Sequence, residues 1–253
     1  MVSCRDFPAL IAVALLGCAA STGPDSFRFL HVVPTETVGR FDPDLPLTVA
    51  LDAAKPSALL EVLPADSILA QSPDGLTVRL APYPALPPTE RSGLESSFVI
   101  DFEDDAVKVW VAERASDTRP SIEQLVAWTR SAIEPAGDRR FDRASVILET
   151  GRGDCTEFAV LLAAIARSFG YPARVAVGIV IADSGDSLQA FGHAWTELHS
   201  STGWQLVDAT PIEGGMAVGY LPQGELRDEG PGYSMDLVRI QAVGITRVRI
   251  ISP

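Results

Sequence analysis

Cysteine is rare in this chain. Only Cys4, Cys18 and Cys155 occur among 253 residues, too few to frame a disulfide scaffold. Histidine is as rare, at His31, His193 and His199, and neither these nor the acidic residues fall at zinc or calcium-loop spacing. No metal and no cofactor is therefore expected. Lysine occurs only as Lys55 and Lys108, and 20 Lys and Arg against 33 Asp and Glu leave a formal net charge of -13. That balance excludes the clustered cationic surface nucleic acid requires. After Ala20 no apolar run is long enough to span a bilayer. What remains, 47% hydrophobic and 21% charged, is a globular chain of one substantial domain or two small ones.

The first segment reads as a processing signal rather than as structure. Phe7 to Leu16 is an apolar run of signal length preceded by Arg5. It ends Leu16-Gly17-Cys18-Ala19-Ala20-Ser21, which resembles the bacterial lipobox, whose cysteine becomes the acylated first residue. The expectation is a signal peptide over 1–17, lipidation at Cys18 with a linker to residue 25, and an outer-membrane anchor on the periplasmic side. The alternative is a plain signal peptide cleaved after Cys18. Either way Cys155 is left as the one thiol of the mature domain, and an unpaired cysteine in an oxidising compartment calls for a role.

Residues 26–118 read as β-rich. Leu47–Leu51 and Leu76–Leu80 look like strands, Ser57 to Leu63 like a short helix broken at Pro64, and 98–102 with 106–111 like a hairpin across an acidic turn. A second segment, 119–215, opens with a helix from Pro120-Ser121-Ile122 to about Pro135. It continues through a glycine loop into a helix from Cys155 to Phe169, with Phe158, Leu161, Leu162 and Ile165 at helical spacing. Strands follow at Arg174–Ile181, Phe191–His199 and Trp204–Asp208. The tail, 216–253, reads as a Gly/Pro-rich loop and two strands, Leu237–Val243 and Ile245–Ile251. One helix followed by antiparallel strands predicts an α+β fold.

Cys155 stands at the start of its helix. Asp154 is a suitable N-cap and Glu157 completes a capping box, so the Arg152-Gly153-Asp154 tripeptide is explained by local geometry. A thiol at that place feels the positive end of the helix dipole, which favours thiolate, and its polar neighbours argue against apolar burial. Downstream, Ser200 to Gly203 joins two strands. With Ser200-Ser201 as the turn, His193 faces Asp208 directly. With Ser200 to Gly203 as the turn the two become diagonal neighbours on one face, and an odd-length loop or a bulge would separate them. A thiol, an imidazole and a carboxylate suit nucleophilic catalysis, with the Cys155 amide as an oxyanion donor. His199, at the turn edge, reads as solvated. Glu197 shares its strand parity, and His31 has no partner pattern.

Gly151-x-Gly-Asp-Cys155 with Arg167-x-x-Gly170-Tyr-Pro172-Ala-Arg174, Gly192-His193-Ala194-Trp195, and Gly203-Trp204-x-x-Val207-Asp208-Ala-Thr-Pro211 resembles the transglutaminase-like superfamily. The resemblance covers about 144–211. It implies a papain-like core, with the nucleophile at a helix N-terminus packed on an antiparallel sheet, and a triad of Cys155, His193 and Asp208. It further implies acyl transfer to an amine, or peptide or amide hydrolysis, on a protein or peptide substrate. The other reading is a catalytically inactive binding or envelope-assembly module that keeps the fold.

Overall fold

The computed structural model describes residues 32–38, 46–80, 93–137, 141–183, 187–201, 203–212, 216–242 and 244–251. The expected signal segment, Cys18 and His31 lie outside them. The chain begins with β1 (Val32–Val33), β2 (Thr35–Val38), β3 (Leu47–Ala53), α1 (Pro56–Leu59), β4 (Ile68–Ser72) and β5 (Gly75–Leu80). Leu47, Val49 and Leu51 turn inward on β3 and Leu76, Val78 and Leu80 on β5, mostly in the two-residue period of a half-buried strand. Next come α2 (Asp105–Ala112), α3 (Ile122–Ala132), β6 (Glu134–Pro135), α4 (Ala144–Thr150), β7 (Arg152–Gly153) and α5 (Cys155–Ser168). The chain then runs through β8 (Ala173–Asp183), β9 (Leu188–Ser200), β10 (Gly203–Val207), β11 (Met216–Glu225), α6 (Tyr233–Ala242) and β12 (Ile245–Ile251). This is a mixed α+β fold, as its sequence predicts.

Two five-stranded sheets organise it. The first runs β2-β12-β3-β5-β4, so the last strand of the chain lies between two of the earliest. The second runs β1-β9-β8-β11, with β10 on the same edge of β9 as β1. The β8–β9 hairpin unites the layers. On one face of β8, Ala173, Val175 and Val177 lie under α5, and farther along Ile179 and Ile181 meet the first sheet. On the other face Ala176 and Val180 pack with Trp195 and Tyr220. Residues of β8 from Ala173 through Ala182 are all buried, as expected of a strand covered on both faces.

Several elements differ from their sequence expectation. The supposed hairpin at 98–111 is absent: Asp105–Ala112 is helical, started by Asp104, whose carboxylate accepts from the Ala106 amide at 2.9 Å. Val107, Val109 and Val111 alternate like a strand, yet Val107 is buried, Val109 is 59% exposed, and Trp110 and Val111 pack on the core. Buried positions 107, 110 and 111 have helical spacing. The segment 26–118 is thus not β throughout. In the tail, residues 237–242 of the expected strand fall on α6, where Tyr233, Leu237 and Ile240 form the inner stripe. The supposed glycine loop contains β11, paired along β8. Between the two expected helices, residues 144–150 form a further helix, α4. Finally, burial of α5 extends beyond the stripe of Phe158, Leu161, Leu162 and Ile165: every residue from Cys155 through Arg167 is buried. The second sheet covers it on one side and α2, α3 and α4 on the other.

Two arginines of the recognised motif serve this architecture. Arg167 makes a bidentate pair with Glu229, both contacts at 2.8 Å, and donates to the Ala173 carbonyl. Arg174 on β8 bridges Glu197 on β9 at 2.6 Å and Glu225 on β11 at 3.1 Å, with Trp204 against its guanidinium. Removing one partner from such a buried set leaves an uncompensated charge, at a cost of about 3–5 kcal/mol. Glu197 is therefore an architectural partner. His199 is exposed, its ring edge-on to Trp204. No helix among the described residues is long and apolar enough to cross a membrane.

Candidate active site

The α5 start is built by its own sequence. Asp154 accepts from the Thr156 amide at 2.7 Å, and Glu157 reaches back to accept from the Asp154 amide at 2.9 Å, closing the capping box. The other Glu157 oxygen accepts from the Asp142 amide at 3.0 Å, tying the incoming loop to the helix. Gly153 makes room for this: a Cβ there would lie 2.3 Å from the Glu157 Cβ, an atom that cannot move without its backbone. The helix is further fixed to the sheet by Thr196, whose hydroxyl donates to the Ala159 carbonyl at 2.8 Å.

Cys155 is 1% exposed. Its thiol meets β9 at Ala194, whose amide donates to the sulfur. This amide is available because β1 pairs with β9 only at Phe191 and Ala190, and β10 reaches only to Thr196. Among the described residues the edge between them is open. The expectation that polar neighbours would keep Cys155 out of apolar burial is corrected here. Burial pushes its thiol well up, the nearby Asp154, Glu157 and Asp208 carboxylates push the same way, and the Ala194 amide opposes them without prevailing. The helix dipole is too weak to hold a thiolate against such burial.

His193 and Asp208 do meet. Gly203 pairs with Ser200 and Trp204 with His199, the wider of the two registers considered, which leaves His193 and Asp208 diagonal on one face. His193 Nε2 lies 2.7 Å from Asp208 Oδ2. A carboxylate only accepts, so Nε2 carries a proton whether the ring is neutral or charged, and Nδ1 presents a lone pair when it is neutral. Asp208 accepts from two further donors: the Thr210 amide at 2.8 Å on Oδ1 and the Tyr220 hydroxyl at 2.8 Å on Oδ2. Burial by itself would raise its pKa, but the imidazole's charge and these hydrogen bonds together hold it below the ordinary value. Trp195 stacks on His193 with centroids 6.2 Å apart, and a Cβ at Gly178, the cross-strand partner of His193, would sit 2.9 Å from the Trp195 ring.

The thiol and the imidazole approach β9 differently. Ala194, Thr196 and Leu198 face α5, whereas His193 and Trp195 turn to the face that carries Tyr220. Cys155 therefore stands at the strand's edge rather than over the His193 face, and among the described residues no hydrogen bond joins the two groups. Glu157 is buried and pushed up to about 8, by burial first and the Asp154 charge second, and Asp154 is raised by burial as well. Sequence reasoning missed Tyr220 and the Ala194 amide. The apolar run Ala217-Val218-Gly219-Tyr220-Leu221 has strand length, but Gly214, Gly215, Gly224 and Pro222 around it signal a loop.

Residues 105–209 match the model of the transglutaminase-like superfamily. Among solved structures the chain is similar to a candidate cysteine protease from Cytophaga hutchinsonii, with 14% identity, a TM-score of 0.42, and coverage of 69% of this chain and 76% of that one. No curated protein matches it significantly. The segment that carries α2 to β10, with Cys155, His193 and Asp208 in it, belongs to the transglutaminase-like superfamily.

Proposed function

We propose that this protein is a cysteine-dependent acyltransferase or amide hydrolase acting on a protein or peptide in the bacterial cell envelope, anchored there through Cys18. The observation that carries the reading is the 2.7 Å bond from His193 Nε2 to Asp208, which leaves Nδ1 as a base beside the helix start that presents Cys155. In the proposed reaction the thiol proton passes to Nδ1 as sulfur attacks the acyl carbonyl. The amide C–N bond then breaks, the leaving amine takes that proton, and a thioester remains. Water or a second amine, deprotonated by the same imidazole, attacks the thioester and returns the cysteine as a thiol. The Cys155 amide at the α5 start is the oxyanion donor in this reading.

A second reading, a non-catalytic binding or envelope-assembly module, draws on one observation: the thiol is 1% exposed and held in its neutral form. A fluorogenic peptide and an amine-incorporation assay, each followed by mass spectrometry of the acyl-enzyme, separate the two. Turnover that vanishes in Cys155→Ala, with a thioester mass on Cys155 in the native chain, is the expected result. Turnover that survives the substitution overturns the cysteine mechanism, and the absence of both turnover and acyl adduct with any substrate leaves only the binding reading. Mass spectrometry of the mature N-terminus tests the anchor, with acylated Cys18 expected and a free amine beyond it refuting it.

A further inference from the structure

Tyr220 is a buried group at this site that the triad does not use. It lies on β11, beyond the segment 105–209, opposite Val180 of β8. Its hydroxyl donates to Asp208 Oδ2, the oxygen that also accepts from His193. Its ring lies 6.1 Å from the His193 ring and 5.3 Å, edge-on, from Trp195. One side chain thus touches both partners of the imidazole–carboxylate bond. We propose, on the basis of the cysteine chemistry above, that Tyr220 is a positioning residue whose hydroxyl fixes the Asp208 carboxylate and whose ring confines the His193 imidazole.

The geometry makes the two tasks separable. A carboxylate oxygen has two lone pairs, and on Oδ2 both are taken, one by Nε2 and one by Tyr220. With the Thr210 amide on Oδ1, turning the carboxylate breaks three hydrogen bonds rather than one. This matters because Asp208 borders a cavity of about 310 Å³, lined by Arg130, Leu206, Ile212 and Tyr220 among others, where water competes for its lone pairs. The ionisable groups facing Asp208 are His193 from β9, Tyr220 from β11, Arg130 from α3 and the Cys155 thiol at the start of α5, which the Asp208 charge reaches. The Arg130 guanidinium donates to the Ala209 carbonyl at 2.9 Å and the Asp208 carbonyl at 3.5 Å. Arg130 thereby holds the backbone of the Asp208 turn, while Tyr220 holds its carboxylate. The functional unit then includes β11, a strand the family match does not reach.

Tyr220→Phe in the full chain keeps the ring and removes the hydroxyl. Peptide turnover should lose about tenfold in kcat with little change in KM, since only orientation in the transition state is affected. The acid limb of the pH profile should move to higher pH, because Asp208 loses a donor that favours its ionised form. Proton NMR should show the His193 Nε2–H resonance shifted or broadened by exchange. Native kcat, acid limb and resonance in Tyr220→Phe, with damage only in Tyr220→Ala, would reduce the residue to packing and overturn the proposal. If the native chain turns over no substrate, the catalytic reading fails. The resonance in native and Tyr220→Phe protein then still decides whether Tyr220 positions the pair.

Discussion

The two halves of the candidate site are built on opposite electrostatics. Around the imidazole, donors converge on Asp208: Nε2, the Thr210 amide and the Tyr220 hydroxyl, all within 2.8 Å. Its pKa is lowered despite burial. Around the thiol, the Asp154 and Glu157 carboxylates converge, and among the described residues their hydrogen-bond partners include no cation. Glu157 is pushed up to about 8, Asp154 is raised, and Cys155 stands well above an ordinary thiol. The imidazole half is set in the resting protein and the thiol half is not. In the proposed mechanism, therefore, negative charge reaches sulfur only as its proton leaves for His193, and no reactive thiolate is kept in the resting protein where it could be oxidised.

The largest expected effect comes from neutralising one carboxylate in each half. Asp208→Asn keeps the shape but can present a donor to Nε2–H, so the ring loses its tautomer. Turnover should fall on the order of 10³–10⁴-fold, as when other triads lose their acid. Asp154→Asn keeps a competent N-cap while removing a charge that raises the thiol. Alkylation of Cys155 at neutral pH, slow in the native chain, should speed up. If Asp154→Asn slows alkylation, or Asp208→Asn leaves turnover unchanged, the contrast between the halves is wrong.

A smaller effect sharpens the contrast through stability. Glu157 ionises at 4.5 in its ordinary setting and at about 8 in the folded chain. Between these values the native state binds more protons than the unfolded one, so stability is full below 4.5 and is lost as pH rises toward about 8. The slope for one group is at most about 1.4 kcal/mol per pH unit. Glu157→Gln can accept from one amide and donate to Asp154 without titrating. Urea midpoints across this range should slope less in the variant. An unchanged slope would assign the dependence to other groups.

What could be read beforehand was local or periodic. The α5 cap needs only Asp154 and Glu157 three residues apart, and the meeting of His193 with Asp208 needs only strand parity and an even turn. What could not be read depends on distant neighbours. Val107, Val109 and Val111 imitate a strand, and only the Asp104 cap and the core beneath Val107 and Trp110 make them helical. Tyr220 was hidden because its strand is recognised by pairing with β8, not by its own glycine-rich sequence. The thiol's condition was misjudged for the same reason. A helix start promotes thiolate locally, but the burial that outweighs it comes from β9 and from the elements packed around α5.

The mildest test cuts the tie between the halves. Thr196 on β9 donates to the Ala159 carbonyl of α5 from a fully buried position. In Thr196→Val that carbonyl keeps its helical amide, so no acceptor is orphaned. The loss should be near the net worth of one hydrogen bond, about 1 kcal/mol, visible as a lower urea midpoint. Because α5 alone is loosened, Cys155 should alkylate somewhat faster while the His193 Nε2–H resonance stays in place, held by Asp208 and Tyr220. Should that resonance move along with the thiol's reactivity, the imidazole is positioned by α5 as much as by β11, and the two halves form one unit.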